Sequence, residues 1–341
     1  MSRPAAKSRP DNISSKRLSL LNMKINTSNT STAAEAPRYG RCQALLDQAR
    51  SGGAIGTAVV YPCSRDALAG ALEARDAALI DPVLVGPEKR IRELADQAGS
   101  DLTGCRIEDV AEPLEAARRA AALVHERRVE VLMKGSLHTD ELMSVVVSRE
   151  AGLRTKRRIS HVFVMDVPAY DRLLLVSDAA INIAPSLPVK VDIVRNAIDI
   201  AHAVGVATPR IALLSAVETV NHSIPSTEDA AELTAMARRG EIEGAVLHGP
   251  LAFDNAISLE AARIKGIDSP VAGAVDVVIV PGLEAGNILY KALVYLAGAL
   301  AAGVVAGASI PIILTSRADS PASRTASAAV ACLRARQLRR A

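Results

Sequence analysis

From Arg41 onward the chain alternates between short apolar runs and longer stretches whose apolar residues recur at helical spacing. "AIGTAVVYP" (54–62) precedes "SRDALAGALEARDAA", and "PVLVG" (82–86) precedes "PEKRIRELADQAG". A weaker run near "CRIEDV" leads into "PLEAARRAAALVHERR", and "VEVLMKG" (129–135) into "HTDELMSVVVSREAG". Strands that read as near-continuous apolar runs between helices predict a parallel sheet covered on both faces. The rhythm breaks between 155 and 185, where "RISHVFVMDV" and "DRLLLVSDAAINIAP" are joined only by "PAYD". That reads as an antiparallel insertion and as the start of a second domain. Alternation then resumes: a helix over 189–204, "RIALLSA" (210–216), a helix capped by Ser226, "GAVLHG" (244–249), a helix near 256–265 and "DVVIVPG" (276–282). A long Ala-rich helix, the strand "PIILT" and a final helix complete the pattern.

Residues 1–40 show no sustained periodicity, and the spacing predicts a disordered tail there. The tail is poor in acids and contains Arg, Lys and Ser, somewhat like a transit peptide, and Met23 offers a second start. Its seven Lys/Arg, with four Arg in 331–341, account for the basic net charge; the remainder holds 29 basic against 35 acidic residues. With aromatics at 2% and no Trp, the globular part carries neither the basic footprint nor the stacking surface of a nucleic-acid binder. No charged residue occurs from Ala292 to Ser316, yet the run is Ala/Gly-rich and contains Pro311, so no membrane partner is expected. Cys42, Cys63, Cys105 and Cys332 form no CxxC pair. That spacing predicts reduced thiols in a cytoplasmic protein, without a zinc signature.

The chain has no P-loop and no GxGxxG. The chemistry-bearing residues cluster instead where strands end. "KGSLHTDE" (134–141), "AVETVNHSIPSTED", "GPLAFDNAIS", "GLEAGNILYK" and "SRADS" each follow an apolar run. If these runs share one parallel sheet, their exits converge at one edge, where α/β proteins bind ligands. That places Lys134, Ser136, His138, Thr139, Glu218, Asn221, Asp254, Asn255, Glu284, Asn287, Lys291, Ser316 and Arg317 around a cleft for a polar or anionic ligand.

The strings "SAVETVN…PSTEDAAEL", "GPLAFDNAISLEAARIKGIDSPVAG", "VVIVPGLEAGNILYKAL" and "PIILTSRADS" resemble the phosphate acetyl/butyryl transferase family over residues 41–341. The second string looks closest to the butyryl branch and to the transferase half of enoyl-CoA hydratase fusions. The resemblance implies an α/β fold of two domains with mostly parallel sheets and an interdomain cleft, related to the isocitrate and isopropylmalate dehydrogenases. Residues 41–154 with 304–341 would form the first domain and 155–303 the second. It implies reversible acyl transfer between coenzyme A and phosphate in a homodimer, with acyl-CoA and phosphate as partners. Coenzyme A enters as substrate, and neither a metal nor a permanently bound cofactor is needed. Ser316 and Arg317 match the serine–arginine pair that holds the phosphoryl group.

Two departures stand out. The acetyl branch has an aspartate seven residues after that serine, where this chain has Ser323. Asp319 is then the first candidate for the base that takes the thiol proton, with Glu284 and His138 behind it. An arginine that follows the "GxxH" motif in the acetyl branch is also missing from Leu142–Val147, and Arg154 or Arg158 would have to replace it. Two rivals stay open from the sequence: an NAD- and metal-dependent 2-hydroxy acid dehydrogenase, for which only scattered aspartates (Asp171, Asp178, Asp192, Asp276) are present, and an inactive ligand sensor.

Overall fold

A computed structural model describes residues 38–314 and 319–340 of the chain. The tail expected over 1–40 lies outside the described residues except at its end. There Tyr39 donates its hydroxyl to the Gly298 carbonyl at 2.9 Å, and helix α1 (Gly40–Ser51) begins. Then come β1 (Ile55–Val60), α2 (Arg65–Asp76), β2 (Ile80–Gly86), α3 (Glu88–Ala98), β3 (Arg106–Asp109), α4 (Pro113–His125), β4 (Val131–Lys134) and α5 (Thr139–Val146). The hairpin β5 (Ser160–Asp166) and β6 (Leu173–Ser177) interrupts the alternation, as expected. After it run α6 (Leu187–Ala203), β7 (Arg210–Leu214), α7 (Pro225–Arg238), β8 (Val246–Leu251), α8 (Phe253–Ile257), α9 (Leu259–Ile264), β9 (Val277–Ile279), α10 (Leu283–Tyr295), β10 (Leu300–Ala306), β11 (Ile312–Ile313) and α11 (Pro321–Arg340).

All these strands join one mixed, mostly parallel sheet in the order β3-β2-β1-β4-β11-β10-β5-β6-β9-β7-β8. β10 is antiparallel to both of its neighbours, β11 and β5. β6 is antiparallel to β5 and parallel to β9, which is parallel to β7, and β7 to β8. Hence β3, β2, β1, β4, β11 and β5 point one way, and β10, β6, β9, β7 and β8 the other. The single shared exit edge that the sequence suggested does not form, because the β5–β6 hairpin reverses the direction of every strand beyond it.

Side chains alternate between the two faces with the period of two that strands require. Ile55, Val59, Leu84, Val131, Val164, Leu175, Leu213 and Val304 enter one continuous core under α1, α2, α3, α6, α7 and α11. The opposite face carries two separate apolar clusters. One joins Val60, Val85, Leu132 and Ile312 to α4 and α5. The other joins Met165, Val176, Ala212 and Val278 to α8, α9 and α10.

Two expectations need correction. The Ala-rich stretch is not one long helix: α10 stops at Tyr295, Gly298 turns the chain at φ 65°, and "LAAGVVA" becomes a fully buried strand. Alanine favours helices in isolation, but here the tertiary position overrides that preference. Small residues let α11 approach β10 so closely that the Gly303 N–H reaches the Ser327 hydroxyl at 2.9 Å. Ser226 does not cap α7. Pro225 already occupies the first helical position, where a missing N–H costs nothing, and Ser226 bonds the Ser215 hydroxyl at 2.8 Å instead. Among the described residues no helix is long and apolar enough to cross a membrane.

Candidate active site

The exits of β1, β4 and β11 lie side by side. Ile312 and Ile313 pair in parallel with Leu132 and Met133, which brings Leu314 level with Lys134. On the other side Val60 pairs with Lys134. The Gly135 N–H donates to the Val60 carbonyl at 2.8 Å, and a Cβ at Gly135 would fall on the Val60 and Tyr61 carbonyl oxygens. The Ser136 hydroxyl ties the two exits together, donating to the Tyr61 carbonyl at 2.8 Å and accepting from the Cys63 N–H at 3.1 Å. Lys134 folds its ammonium onto the carbonyls of Gly135 and Leu137, both at 3.2 Å. His138 and Thr139 are exposed at the start of α5, where the His138 N–H donates to Glu141 at 2.7 Å.

Ser316 and Arg317 lie outside the described residues. Beyond them the chain is fixed again. The Asp319 carbonyl accepts from Arg324 at 2.9 Å, and Arg324 is gripped by both Glu73 oxygens at 3.1 Å. Ser320 caps α11 by accepting the Ser323 N–H at 3.1 Å. The Asp319 side chain is half-buried, and its negative charge, together with burial, helps push the Tyr290 phenol up to about 12. Burial is the larger cause.

Tyr290 reaches this edge because α10 crosses the molecule. α10 starts at the exit of β9, on one edge, and leads into β10, which begins at the opposite edge beside the exit of β11. Tyr290 stacks on Phe163 of β5 with ring centroids 3.8 Å apart and planes 8° from parallel. Phe163 in turn lies 4.2 Å from His161, and Gly303 of β10 leaves room for both rings. His161 is buried, its Nδ1 meets no partner among the described residues, and burial pulls its imidazole down to about 4 against the opposing charge of Asp178. Asp178 accepts N–H bonds from His161, Ala180, Ile181 and Asn182 and a side-chain bond from Asn182. His161, Phe163 and Tyr290 were not among the residues expected near the cleft. Their signal was present in the period-two placing of a histidine and a phenylalanine in "SHVFVMD" and in Tyr290 three residues after Asn287.

The other expected residues are not gathered here. Glu218 and Asp254 leave β7 and β8 at the far edge and share Lys265, at 3.3 and 3.8 Å. Asn221 is exposed and closes its own turn, accepting the Ser223 N–H at 2.9 Å. Asn255 is fully buried on α8, and neither end of its amide has a partner among the described residues. Asn287 faces inward and its amide reaches the Ala179 carbonyl at 3.4 Å. Glu284 and Lys291 stand on the outward stripe of α10 with Ile288 and Tyr295, at i, i+4, i+7 and i+11. The scattered aspartates each have structural partners: Asp171 and Asp276 hold Arg172, Asp192 accepts the Arg158 N–H, and Asp178 sits in its nest. No group of three metal-binding side chains occurs among the described residues.

A sequence profile described as phosphate acetyl/butaryl transferase matches residues 103–332. The chain belongs to this family. It is 55% identical over 308 residues to a phosphate acetyltransferase of Rhizobium meliloti, covering 90% of this chain and 96% of that protein. It is 43% identical over 261 residues to a phosphate butyryltransferase of Clostridium beijerinckii, covering 76% and 86%. Its fold superposes on the crystal structure of a branched-chain phosphotransacylase from Enterococcus faecalis V583 with a TM-score of 0.72 at 29% identity, covering 82% and 99%.

In this chain Ser323 stands in the first turn of α11 with its hydroxyl on Ser320 at 3.1 Å. Its place therefore holds a neutral hydroxyl facing the helix cap. Cys63 is the thiol at the exit of β1, and burial pushes it up to about 11. Burial raises Cys42 and Cys332 to about 12. None of these three is poised as a thiolate nucleophile.

Proposed function

We propose that this chain transfers a short acyl group reversibly between coenzyme A and inorganic phosphate. The observation that carries this reading is its 55% identity to a phosphate acetyltransferase across 96% of that protein's length. Acetyl is the acyl group assigned first, because the butyryltransferase relative is less similar, at 43%. The CoA thiol loses its proton to a base, and the thiolate attacks the carbonyl carbon of the acyl phosphate. The new C–S bond forms, the bond from the carbonyl carbon to the bridging oxygen breaks, and phosphate leaves with the electron pair and that oxygen. The raised thiols of Cys42, Cys63 and Cys332 favour this direct attack over an acyl-cysteine intermediate. In this reading Asp319 is the base, beside Tyr290, and Ser316 with Arg317 grips the phosphoryl oxygens. A guanidinium suits that task because its fork matches phosphate geometry. Lys134, Ser136, His138 and Thr139 line the cleft from β4 and α5. Coenzyme A is a substrate, and the reading needs no resident cofactor.

We assign residues 41–154 with 304–341 to one domain and 155–303 to the other. The two apolar clusters on the cleft face support the division, since their buried members fall on opposite sides of these boundaries. A homodimer is supported by the exposed apolar side chains Ile183 (76%), Ile288 (69%), Tyr295 (72%) and Leu296 (88%), a set too large to leave in water without comment. Four free cysteines suit a reducing, cytoplasmic setting. The test is thiol release from acetyl-, propionyl- and butyryl-CoA in the presence and absence of phosphate. Phosphate-dependent release is expected, fastest with acetyl-CoA, and lowered on the order of 10²-fold in Arg317→Ala, the usual cost of losing one preorganised donor. No phosphate-dependent release from any of the three would sink the reading.

A further inference from the structure

Four residues on the cleft face stand in one row across the middle of the sheet. Lys134 of β4 is level with Leu314 after β11, Leu314 with Gly303 of β10, and Gly303 with Phe163 of β5. Tyr290 of α10 lies on the Phe163 ring. We infer that the stacked rings of Phe163 and Tyr290 are the wall against which the acyl chain packs, and that they limit its length; the inference rests on the acyl-transfer reading above.

Phe163 is unusual for its place. β5 has a strand on each side, and of its seven residues Phe163 alone is not buried. His161 and Met165, its neighbours on the same face, are closed off. The opening is therefore local to one ring. The row explains it. Leu314 packs with the apolar cluster under α4 and α5, and Phe163 with the cluster under α8, α9 and α10. Gly303 lies between them, so the two clusters part there. A Cβ at Gly303 would come within 2.9 Å of the His161 ring and 3.3 Å of the Phe163 ring, and a larger residue would push Phe163 from its place. Tyr290 fixes the ring from its other side, with centroids 3.8 Å apart and planes 8° from parallel. The tyrosine is itself only partly buried, and it comes from a helix, so two separate elements hold the wall.

A cation at one end of a row and aromatic rings at the other suit a ligand that is charged at one end and apolar at the other. Lys134 holds its ammonium beside the carbonyls of Gly135 and Leu137, near the strand exits where the phosphoryl group is assigned. Three strand spacings separate Lys134 from Phe163, roughly 14 Å between backbones. The two side chains take up part of that span, and the remainder matches a phosphoryl group, a carbonyl and a short chain. Each further methylene then meets the face of a ring that cannot retreat. One methylene in an apolar pocket is worth about 10- to 200-fold in discrimination.

The test measures kcat/KM for acetyl- and butyryl-CoA, with phosphate, in wild type, Phe163→Leu, Tyr290→Leu and Tyr290→Phe. The two leucine variants, one on a strand and one on a helix, should each raise the butyryl-to-acetyl ratio on the order of tenfold, the low end of the range for one methylene, and leave the KM for phosphate unchanged. Tyr290→Phe keeps the ring and should keep the wild-type ratio. Rings that only join the two clusters would instead lower kcat/KM for both chains alike. Calorimetry supplies an arm without turnover. Acetonylphosphonate and butyrylmethylphosphonate carry a methylene in place of the bridging oxygen of the two acyl phosphates and do not react. Wild type should bind the shorter one more tightly, and each leucine variant should narrow that difference about tenfold. If wild type releases no thiol from any acyl-CoA but the phosphonates show this pattern, the acyl-transfer reading falls and the wall stands. If neither phosphonate binds, if both leucine variants keep the wild-type ratios, or if Tyr290→Phe shifts them as far as Tyr290→Leu, the inference is overturned.

Discussion

Asp319 follows Ser316 and Arg317 and precedes a helix, a position where an aspartate is as often a cap as a catalyst. The cap of α11 is Ser320, which holds the Ser323 N–H, while the Asp319 charge is felt by Tyr290. Asp319→Asn should therefore lower turnover by ~10²-fold or more, the scale of general-base loss, with small changes in the KM for acyl-CoA and phosphate. Near wild-type turnover in that variant would move the role to His138, since Glu284 stands on the outward stripe of α10. His161 makes a prediction of a different kind. Burial lowers its imidazole from the 6.5 of an unfolded chain to about 4 in the fold. The unfolded state then binds more protons between these values, so its contribution to stability is intact above pH 6.5 and is lost as pH falls toward 4. The slope approaches about 1.4 kcal/mol per pH unit. Urea unfolding at stepped pH should show wild type losing that much more per unit than His161→Gln, and parallel pH profiles would contradict the buried neutral imidazole.

At the level of elements, the cleft depends on how closely β1 and β4 approach. Gly135 lies at that approach, with the Val60 and Tyr61 carbonyls where a Cβ would go. Gly135→Ala should cost about 2 kcal/mol, within the usual range for a strained core change, and lower activity by pushing the two exits apart. Gly104→Ala is the control: its φ of 80° is strained for alanine, but nothing lies within 4 Å. Urea unfolding and turnover of both variants would decide: Gly135→Ala, with an ordinary φ but a blocked Cβ, should lose more stability and activity than Gly104→Ala, and an equal or smaller loss would contradict the close approach. Element types were legible from periodicity wherever the pattern was local: the β1–α5 alternation, the β5–β6 hairpin and the weak edge strand β3. β10 was not legible, because an Ala/Gly run reads as helix until the neighbours β11 and β5 are known. The site was half legible. Lys134, Ser136 and Asp319 are beside one edge as expected, while Glu218, Asn221, Asp254, Asn255 and Glu284 follow strands of reversed direction. No local pattern encodes the direction of a strand; it is set by pairings between distant segments.

Across the whole molecule, the outward stripe of α10 and Ile183 form the surface that we propose a second copy of the chain covers. If it does, Ile288→Glu should favour monomer, because an unpaired charge in an apolar interface is costly. Sedimentation velocity of wild type and variant decides; a wild-type monomer, or a dimer that the variant leaves unchanged, would overturn the assignment. The late entry of β11 has a consequence for synthesis on the ribosome. β4 leaves the ribosome early, but its partner on one side is β11, near the end of the chain. Until residues 312–313 emerge, β4 presents a bare row of backbone donors and acceptors, and the core under α11 has no lid. The nascent chain carries that open edge through translation of every element from α5 to β10, so its hazard of mispairing is greatest just before it is finished.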